Sequence, residues 1–454
     1  FEKQLREFTS GLKVKPFFAW KLYFAEVFHE KGGFDIVIAN PPYVRQEEIV
    51  QYKNALSNIY TVYSARSDLY TYFYEKGIAL LKKCGILAFV SSNKFMRAKY
   101  GQQLREYFRK YIQLLEIIDF GSVHKFEAIT NTEILILKKQ QVHNNQFPYA
   151  EDINSNRTLI DQFELQNESW TLAENKILAL KKKIEICGVP LSQWSIKISY
   201  GIKAGYNKAF IIDESLKNQL VKKNPKLIEI IKPLLRGRDI GRFTTKFAGK
   251  YIIISKYQGH QDLANKYPEI VEHLGQYSSK LKGRGQVKNG QHHWLELDNN
   301  PNDSYLRLFD LEKIIWIELS DRNKFTYTSR GEYILAGAFM ITGESLKYLL
   351  AFLNSKLCLF YFNLICNSSG MDTTQWKKFV LDRMPVKRIP DEEQRPLINL
   401  VDQILSITKD EDYTTNPTKQ SQVKEYEHQI DQMVYQLYDL TPEEIAVVEG
   451  VKEE

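Results

Sequence analysis

Apolar residues along this chain fall into three regimes, and each predicts its own kind of structure. In the first 141 residues short unbroken apolar runs alternate with longer segments of helical spacing. Ile36-Val37-Ile38 is β-branched and shows no alternation of apolar with polar positions, which predicts a short buried strand of a parallel sheet. Between residues 67 and 85, Leu69, Phe73, Ala79 and Leu80 recur at helical spacing. Ser67 or Asp68 can cap that helix, and Gly85 follows a lysine pair at its end. Ile86 to Val90 predicts the next strand, a helix follows from about Gly101 to Lys110, and Leu115 to Phe120 predicts another strand. A loop from Phe126 then runs into a last strand ending near Leu137. This order predicts an α/β unit, half of a doubly wound sheet.

From about 142 to 168 the periodicity fades into Asn144, Asn145, Asn154, Asn156 and Asn167, the pattern of a domain boundary. After a helix near 172–186, strand-like pieces recur at short intervals, at 194–198, 209–212, 251–254, 314–317 and 333–341. The tail returns to helical spacing at Asp431, Val434 and Leu437, and Thr441-Pro442-Glu443-Glu444 has the form of a capping box with proline at the first helical position. The expected organisation is a sheet-bearing unit over 1–141, a linker and connecting helix over 142–185, an α+β domain over 186–390 and a helical brace over 391–454.

Composition narrows the function classes. With 454 residues, 43% of them apolar, the chain can build two or three cored domains. Its apolar runs are far shorter than a membrane span and no signal-peptide pattern opens it, so a soluble cytoplasmic protein without a membrane partner is expected. Cys84, Cys187, Cys358 and Cys366 show no CxxC spacing and sit among apolar neighbours, which predicts buried reduced thiols and no metal site. The net charge of +7 is modest. Between Thr171 and Asn300, however, Lys and Arg outnumber Asp and Glu roughly two to one, which fits nucleic-acid contact as well as an ordinary solvated surface.

The most chemical feature is Asn40-Pro41-Pro42-Tyr43, directly after the first strand. Two prolines end the strand, remove two backbone donors and fix two φ angles. They hold the Asn40 amide and the Pro41 carbonyl at the carboxyl end of the strand, where open α/β sheets bind ligands. Two acceptors and the ring of Tyr43 suit a planar base bearing an exocyclic amino group.

The tetrapeptide resembles the fourth motif of the amino-methyltransferases. Its sequel resembles the gamma-class DNA adenine-N6 methyltransferases of the type IIG restriction-modification enzymes: an Asp68-Leu69-Tyr70 helix, a Gly85-Ile86-Leu87 strand, the late aromatic Phe126, then a target-recognition domain. That resemblance implies a partial Rossmann-like methyltransferase sheet, methyl transfer from S-adenosylmethionine to adenine N6, and base flipping in double-stranded DNA. By the same resemblance Asn40 and Pro41 hold the amino group, Pro42 fixes the turn, Tyr43 and Phe126 stack on the flipped base, and Asp68 and Tyr70 line the cofactor pocket. Helix capping accounts for Asp68 equally well. In the second half, Gly201 to Phe210 and Lys232-Pro233-Leu234-Leu235-Arg236-Gly237-Arg238-Asp239 are similar to the specificity domain of the same enzymes. Lys203, Arg236, Arg238, Lys282, Arg284 and Lys377 are the expected DNA-contacting residues, although Arg236 could instead pair with Asp239.

Residues 1–39 contain no GxG turn of the kind that cradles S-adenosylmethionine in this family, and no spaced Glu-x-Lys nuclease motif follows. The expectation is therefore a carboxy-terminal portion whose main cofactor cradle lies in a missing N-terminal region of the same polypeptide or in another chain. Two rival functions stay open: a DNA-recognition fragment without activity of its own, and an Asn-Pro-Pro-Tyr methyltransferase acting on RNA or on protein glutamine.

Overall fold

The computed structural model describes residues 18–121, 131–141, 144–366 and 374–450. They divide into two units, the first ending at Asn175 and the second beginning at Lys176.

The first unit is built on a six-stranded mixed sheet. Its strands are β1 (Phe34–Ala39), β2 (Leu81–Ser92), β3 (Gln113–Asp119), β4 (Thr132–Lys138), β5 (Gln146–Ala150) and β6 (Thr158–Asp161). They lie in the order β1-β2-β4-β3-β5-β6. β1 pairs with β2 in parallel, while β4 inserts antiparallel between β2 and β3. Helices Tyr70–Leu80 and Gln102–Tyr111 make the expected connections. The α/β class and the alternating order match the pattern in the sequence.

Two expectations are corrected here. β1 is not buried on both faces: Ile36 and Ile38 are 57% and 77% exposed, and among the described residues it is an edge strand flanked by β2. Residues 142–168 are not a linker either. Their asparagines made the stretch look like a boundary, yet Asn145, with Gln162, satisfies backbone groups at the start of β3 where β5 and β6 join the sheet. Gln162, fully buried, accepts from the Leu114 N–H at 3.0 Å and donates to the Ile112 carbonyl at 2.7 Å. Asn145 donates to the Leu114 carbonyl at 2.8 Å. Polar residues in this stretch are therefore interior staples.

The second unit carries two four-stranded sheets. One has the order Phe325–Thr328, Lys313–Ile317, Ala338–Gly343, Ile196–Tyr200; the other Tyr333–Ile334, Ile231–Leu235, Lys250–Ile253, Ile211–Asp213. The first sheet is covered on both faces. Ile314, Trp316, Phe339 and Ile341 enter one core together with helices Leu346–Asn354, Lys356–Ile365, Asp391–Thr408 and Pro417–Leu437. Ile315, Ala338 and Met340 enter the other. Double burial explains why these strands read as continuous apolar runs rather than alternating ones. The run 333–341 breaks into strands of two different sheets at Gly337, which takes φ +100°. The tail helices pack into the first of these cores, so 391–450 braces this unit and is no separate body. The capping box forms: Thr441 N–H donates to Glu444 at 2.9 Å and Glu444 N–H to Thr441 Oγ1 at 3.3 Å.

No single helix among the described residues is long and apolar enough to cross a membrane. All four cysteines are free; Cys358 and Cys366 are buried as expected, whereas Cys84 is exposed in the irregular start of β2 at φ 62°.

The staple at Gln162 gives a test. Gln162→Leu keeps the volume but strands the Leu114 N–H and the Ile112 carbonyl, and should lower unfolding free energy by about 2–4 kcal/mol in urea titration.

Candidate active site and nucleic-acid interface

The tetrapeptide leaves the carboxyl end of β1 with Pro41 buried, Asn40 and Pro42 exposed and Tyr43 half-buried. The Asn40 amide makes no hydrogen bond among the described residues, so both its oxygen and its NH2 are free for a ligand. The exit of the turn is clamped. Leu69 N–H donates to the Val44 carbonyl at 3.0 Å, and Gln46 N–H donates to Asp68 Oδ1 at 3.0 Å.

That clamp corrects the reading of Asp68. Its carboxylate does not cap the helix, whose N-terminal boundary residue Leu69 shows no side-chain cap, and it is spent on the loop after Tyr43. Burial pushes the Asp68 carboxyl above its usual range, against the pull of the Gln46 N–H. Tyr70 is likewise interior, 1% exposed, with its hydroxyl 3.1 Å from that of Tyr100 and accepting from the Phe95 N–H at 3.0 Å. The Asp68 Oδ1 and the Tyr70 hydroxyl thus help to position the tetrapeptide and its neighbours, while Asp68 stays half-exposed. Phe126 lies outside the described residues.

Beneath Tyr43 lies a buried polar group that sequence reasoning missed. Ser91 of β2 and Asp119 of β3 flank Glu133 of β4 in register. Glu133 is fully buried, and its Oε1 accepts from the Tyr74 hydroxyl at 3.1 Å and from Ser91 Oγ at 3.4 Å. Its Oε2 has no partner among the described residues. Burial first, and the Asp119 charge second, hold this carboxyl well above its usual range. The Tyr43 hydroxyl is pushed up by burial and then by Glu133. The only sequence signal was a charged residue inside the apolar run 132–137, at a position where the strand faces the interior.

In the second unit the expected DNA contacts separate into exposed and committed groups. Lys203, Arg238 and Lys282 are exposed, Lys282 with its ammonium 5.4 Å above the Trp294 ring. Lys377 is half-buried, 3.8 Å from Glu318. Arg236 takes the alternative left open for it: its guanidinium is bidentate to Asp239 at 2.8 and 2.9 Å. Arg284 is corrected outright. It is 8% exposed and donates to Asp298 at 2.8 Å and to the carbonyls of Leu281, Ala204, Trp294 and Glu296. A guanidinium with its donors so filled holds the loops bearing Lys203 and Lys282 together and does not reach a phosphate. Gly205 permits that closeness, since a Cβ there would stand 2.4 Å from Asp298 Oδ1.

The site geometry can be set beside known proteins. Residues 4–126 match the Eco57I restriction-modification methylase family, and residues 232–386 match the TaqI-like C-terminal specificity domain. This chain joins an Eco57I-like methylase segment to a TaqI-like specificity domain. It is similar to the type II restriction-modification DNA methyltransferases. It is 23% identical over 459 residues to the type II methyltransferase M.BstVI of Geobacillus stearothermophilus, covering 92% of this chain and 76% of that protein. It is 25% identical to the type II methyltransferase M.XhoI of Xanthomonas vasicola, covering 58% of this chain and 52% of that protein. To the restriction enzyme and methyltransferase RM.Eco57I of Escherichia coli it is 28% identical, over 40% of this chain and 20% of the relative. Among solved structures the type IIL restriction-modification enzyme MmeI, in complex with DNA, has a similar fold at TM-score 0.59 and 13% identity, covering 91% of this chain and 56% of that one. The chain thus spans between a fifth and three quarters of the relatives it matches.

Two measurements test these assignments. Glu133 carries a proton in the folded chain that the unfolded chain releases above the ordinary value of 4.5. Its contribution is therefore fully present below that value and is lost as pH rises. Glu133→Gln is neutral at every pH, so as pH rises above 4.5 its melting temperature should rise relative to wild type. Arg284→Ala should cost about 3–5 kcal/mol in urea unfolding by leaving Asp298 buried and unpaired, whereas Lys203→Ala and Lys282→Ala should not move the midpoint.

Proposed function

We propose that this chain is the catalytic and recognition portion of a site-specific DNA methyltransferase that methylates adenine at N6 in double-stranded DNA. The observation that carries the reading is the free Asn40 amide on a turn fixed by two prolines, by β2 and by the Asp68 clamp. In this reading the Asn40 amide oxygen and the Pro41 carbonyl accept the two N–H bonds of the target amine. Accepting both draws the nitrogen lone pair out of conjugation with the ring and aims it at an electrophilic methyl group. No strong base is needed, since the proton leaves to solvent after attack.

A duplex hides that nitrogen in its stack, so the adenine must flip out, and Tyr43 offers the replacement face. One aromatic face returns about 1–3 kcal/mol, against a few kcal/mol for unpairing. Phe126 would supply a second face. Lys203, Arg238, Lys282 and Lys377 would contact the DNA, with Arg236 stiffening its loop. The methyl donor is S-adenosylmethionine, and its cradle would come from a region N-terminal to the described residues. Among the described residues the outer edge of β1 is unpaired, which suits a further piece of sheet.

The lack of a GxG turn in residues 1–39 favours a second reading for the chain taken alone, that it recognises DNA without transferring methyl groups. Both are tested together by incubating the chain with random-sequence duplex DNA, with and without S-adenosylmethionine, then sequencing what it retains and measuring methyl incorporation. A retained adenine-containing site with no incorporation supports the second reading; no retained DNA removes both. In the full-length protein, Asn40→Ala should lower methyl transfer by about 100-fold or more while leaving DNA retention unchanged. Loss of retention instead would make the tetrapeptide a structural turn.

A further inference from the structure

We propose that the notch formed by Tyr200, Glu318, Lys377 and Phe379 is a base-reading site, in which Glu318 accepts from an exocyclic amino group of a base pair in the major groove. The proposal rests on the DNA-binding reading above and adds the residues that set sequence preference. The notch is a cavity of about 370 Å³ in the second unit, with Phe339 at its floor.

Its backbone is rigid. Glu318 N–H donates to the Gly337 carbonyl at 2.9 Å, and the Glu318 carbonyl accepts from Trp376 N–H at 2.7 Å. Trp376 stacks on Phe362 at 3.6 Å, and its carbonyl accepts from the Trp316 indole at 2.8 Å. Glu318 and Lys377 thus hang from core residues, while their charged heads remain about a third exposed. At 3.8 Å the two heads attract without a hydrogen bond, so each keeps its donors or acceptors for a ligand. By contrast, Lys378 is held by Asp382 at 2.8 Å and is not free to reach out.

The notch carries two exposed aromatic rings. Tyr200 is 60% and Phe379 48% exposed. The Tyr200 ring is supported from below by Phe339 at 4.8 Å, and its carbonyl accepts from the Tyr305 hydroxyl at 2.7 Å. Exposed rings beside a lysine suit contact with bases, which offer a flat face or a thymine methyl group.

The carboxylate decides between a phosphate site and a base site. Glu318 repels a phosphate, so a surface used only for the backbone would gain from losing it. A carboxylate does recognise the amino group of cytosine or adenine, and a neighbouring lysine recognises the acceptors of guanine. The Arg236-Gly237-Arg238 turn stands against Ile317, the residue before Glu318, since a Cβ on Gly237 would be 3.5 Å from the Ile317 side chain. That places the exposed Arg238 where it can hold the backbone next to the base being read.

The test is selection of random duplex DNA by wild type and by Glu318→Gln, Lys377→Met, Tyr200→Leu and Arg238→Ala, with thermal melting to establish folding. Wild type should retain one short site. Glu318→Gln should retain a similar amount of DNA but lose discrimination about 5- to 150-fold at one position of the site. Lys377→Met should do the same at that position or the next, Tyr200→Leu should weaken retention of the selected site, and Arg238→Ala should lower retention evenly across sequences. If the folded Glu318→Gln and Lys377→Met proteins enrich the wild-type site with unchanged preference at every position, the notch does not read bases. If folded wild type retains no duplex DNA, the DNA-binding reading itself falls, a result distinguishable from the first.

Discussion

The half of this protein that carries the Asn-Pro-Pro-Tyr turn hangs on the pairing of one short strand. Among the described residues β1 has a single neighbour, β2, so the position of the tetrapeptide is set by that ladder and by what grips the chain at either end of it. At the start, Gly33 takes φ +145° and lies so close to the backbone of residues 80–82 that a Cβ would stand 2.6 Å from the Leu80 carbonyl oxygen. At the far end, two prolines stop the ladder, and the Asp68 carboxylate and Leu69 N–H hold the next residues. A reactive amide can stand exposed on an edge strand only because the backbone on both sides of it is over-determined.

This arrangement explains which parts of the unit were legible in the sequence. The tetrapeptide and the alternating apolar blocks depend on local chemistry, the prolines and the burial period, and both were readable. The antiparallel insertion of β4 between β2 and β3 is a choice of neighbour that no local pattern encodes. The burial of Glu133 follows from that insertion, since the residue becomes interior only once Ser91 and Asp119 stand on either side of it. The asparagines of 142–168 misled for a related reason. A residue type that favours turns also supplies the donors that two short strands need where they meet a sheet, and only the tertiary position of Asn145 and Gln162 tells the two uses apart.

In the second half the lesson concerns charge. An excess of lysine and arginine was a fair sign of a polyanionic partner, but the excess says nothing of how each charge is used. Arg284 and Arg236 sit in similar glycine-rich stretches to Lys203 and Arg238, yet their guanidiniums are bound to Asp298 and Asp239. Arginine, with five donors in a fixed plane, is well suited to tying loops together, while lysine keeps its point charge at the end of a flexible stem. Here the two committed arginines stiffen the turns from which Lys203, Lys282 and Arg238 project.

The two units also differ in how much of their apolar surface they enclose. In the second, both faces of the sheet containing Trp316 are covered, and its core takes in the tail helices. In the first, the edge strand carries Ile36 and Ile38 in the open, with Leu22 62% exposed on the segment before it. An uncovered edge strand with apolar side chains is a liability that proteins ordinarily avoid by charge, proline or a covering element. Here Asp35, paired with Lys31 and Lys82, guards its beginning and the prolines guard its end, but the middle is bare. Among the described residues the outer side of this strand stays unpaired, so Ile36, Ile38 and the Asn40 amide lie together on one edge that only β2 and the flanking clamps hold in place.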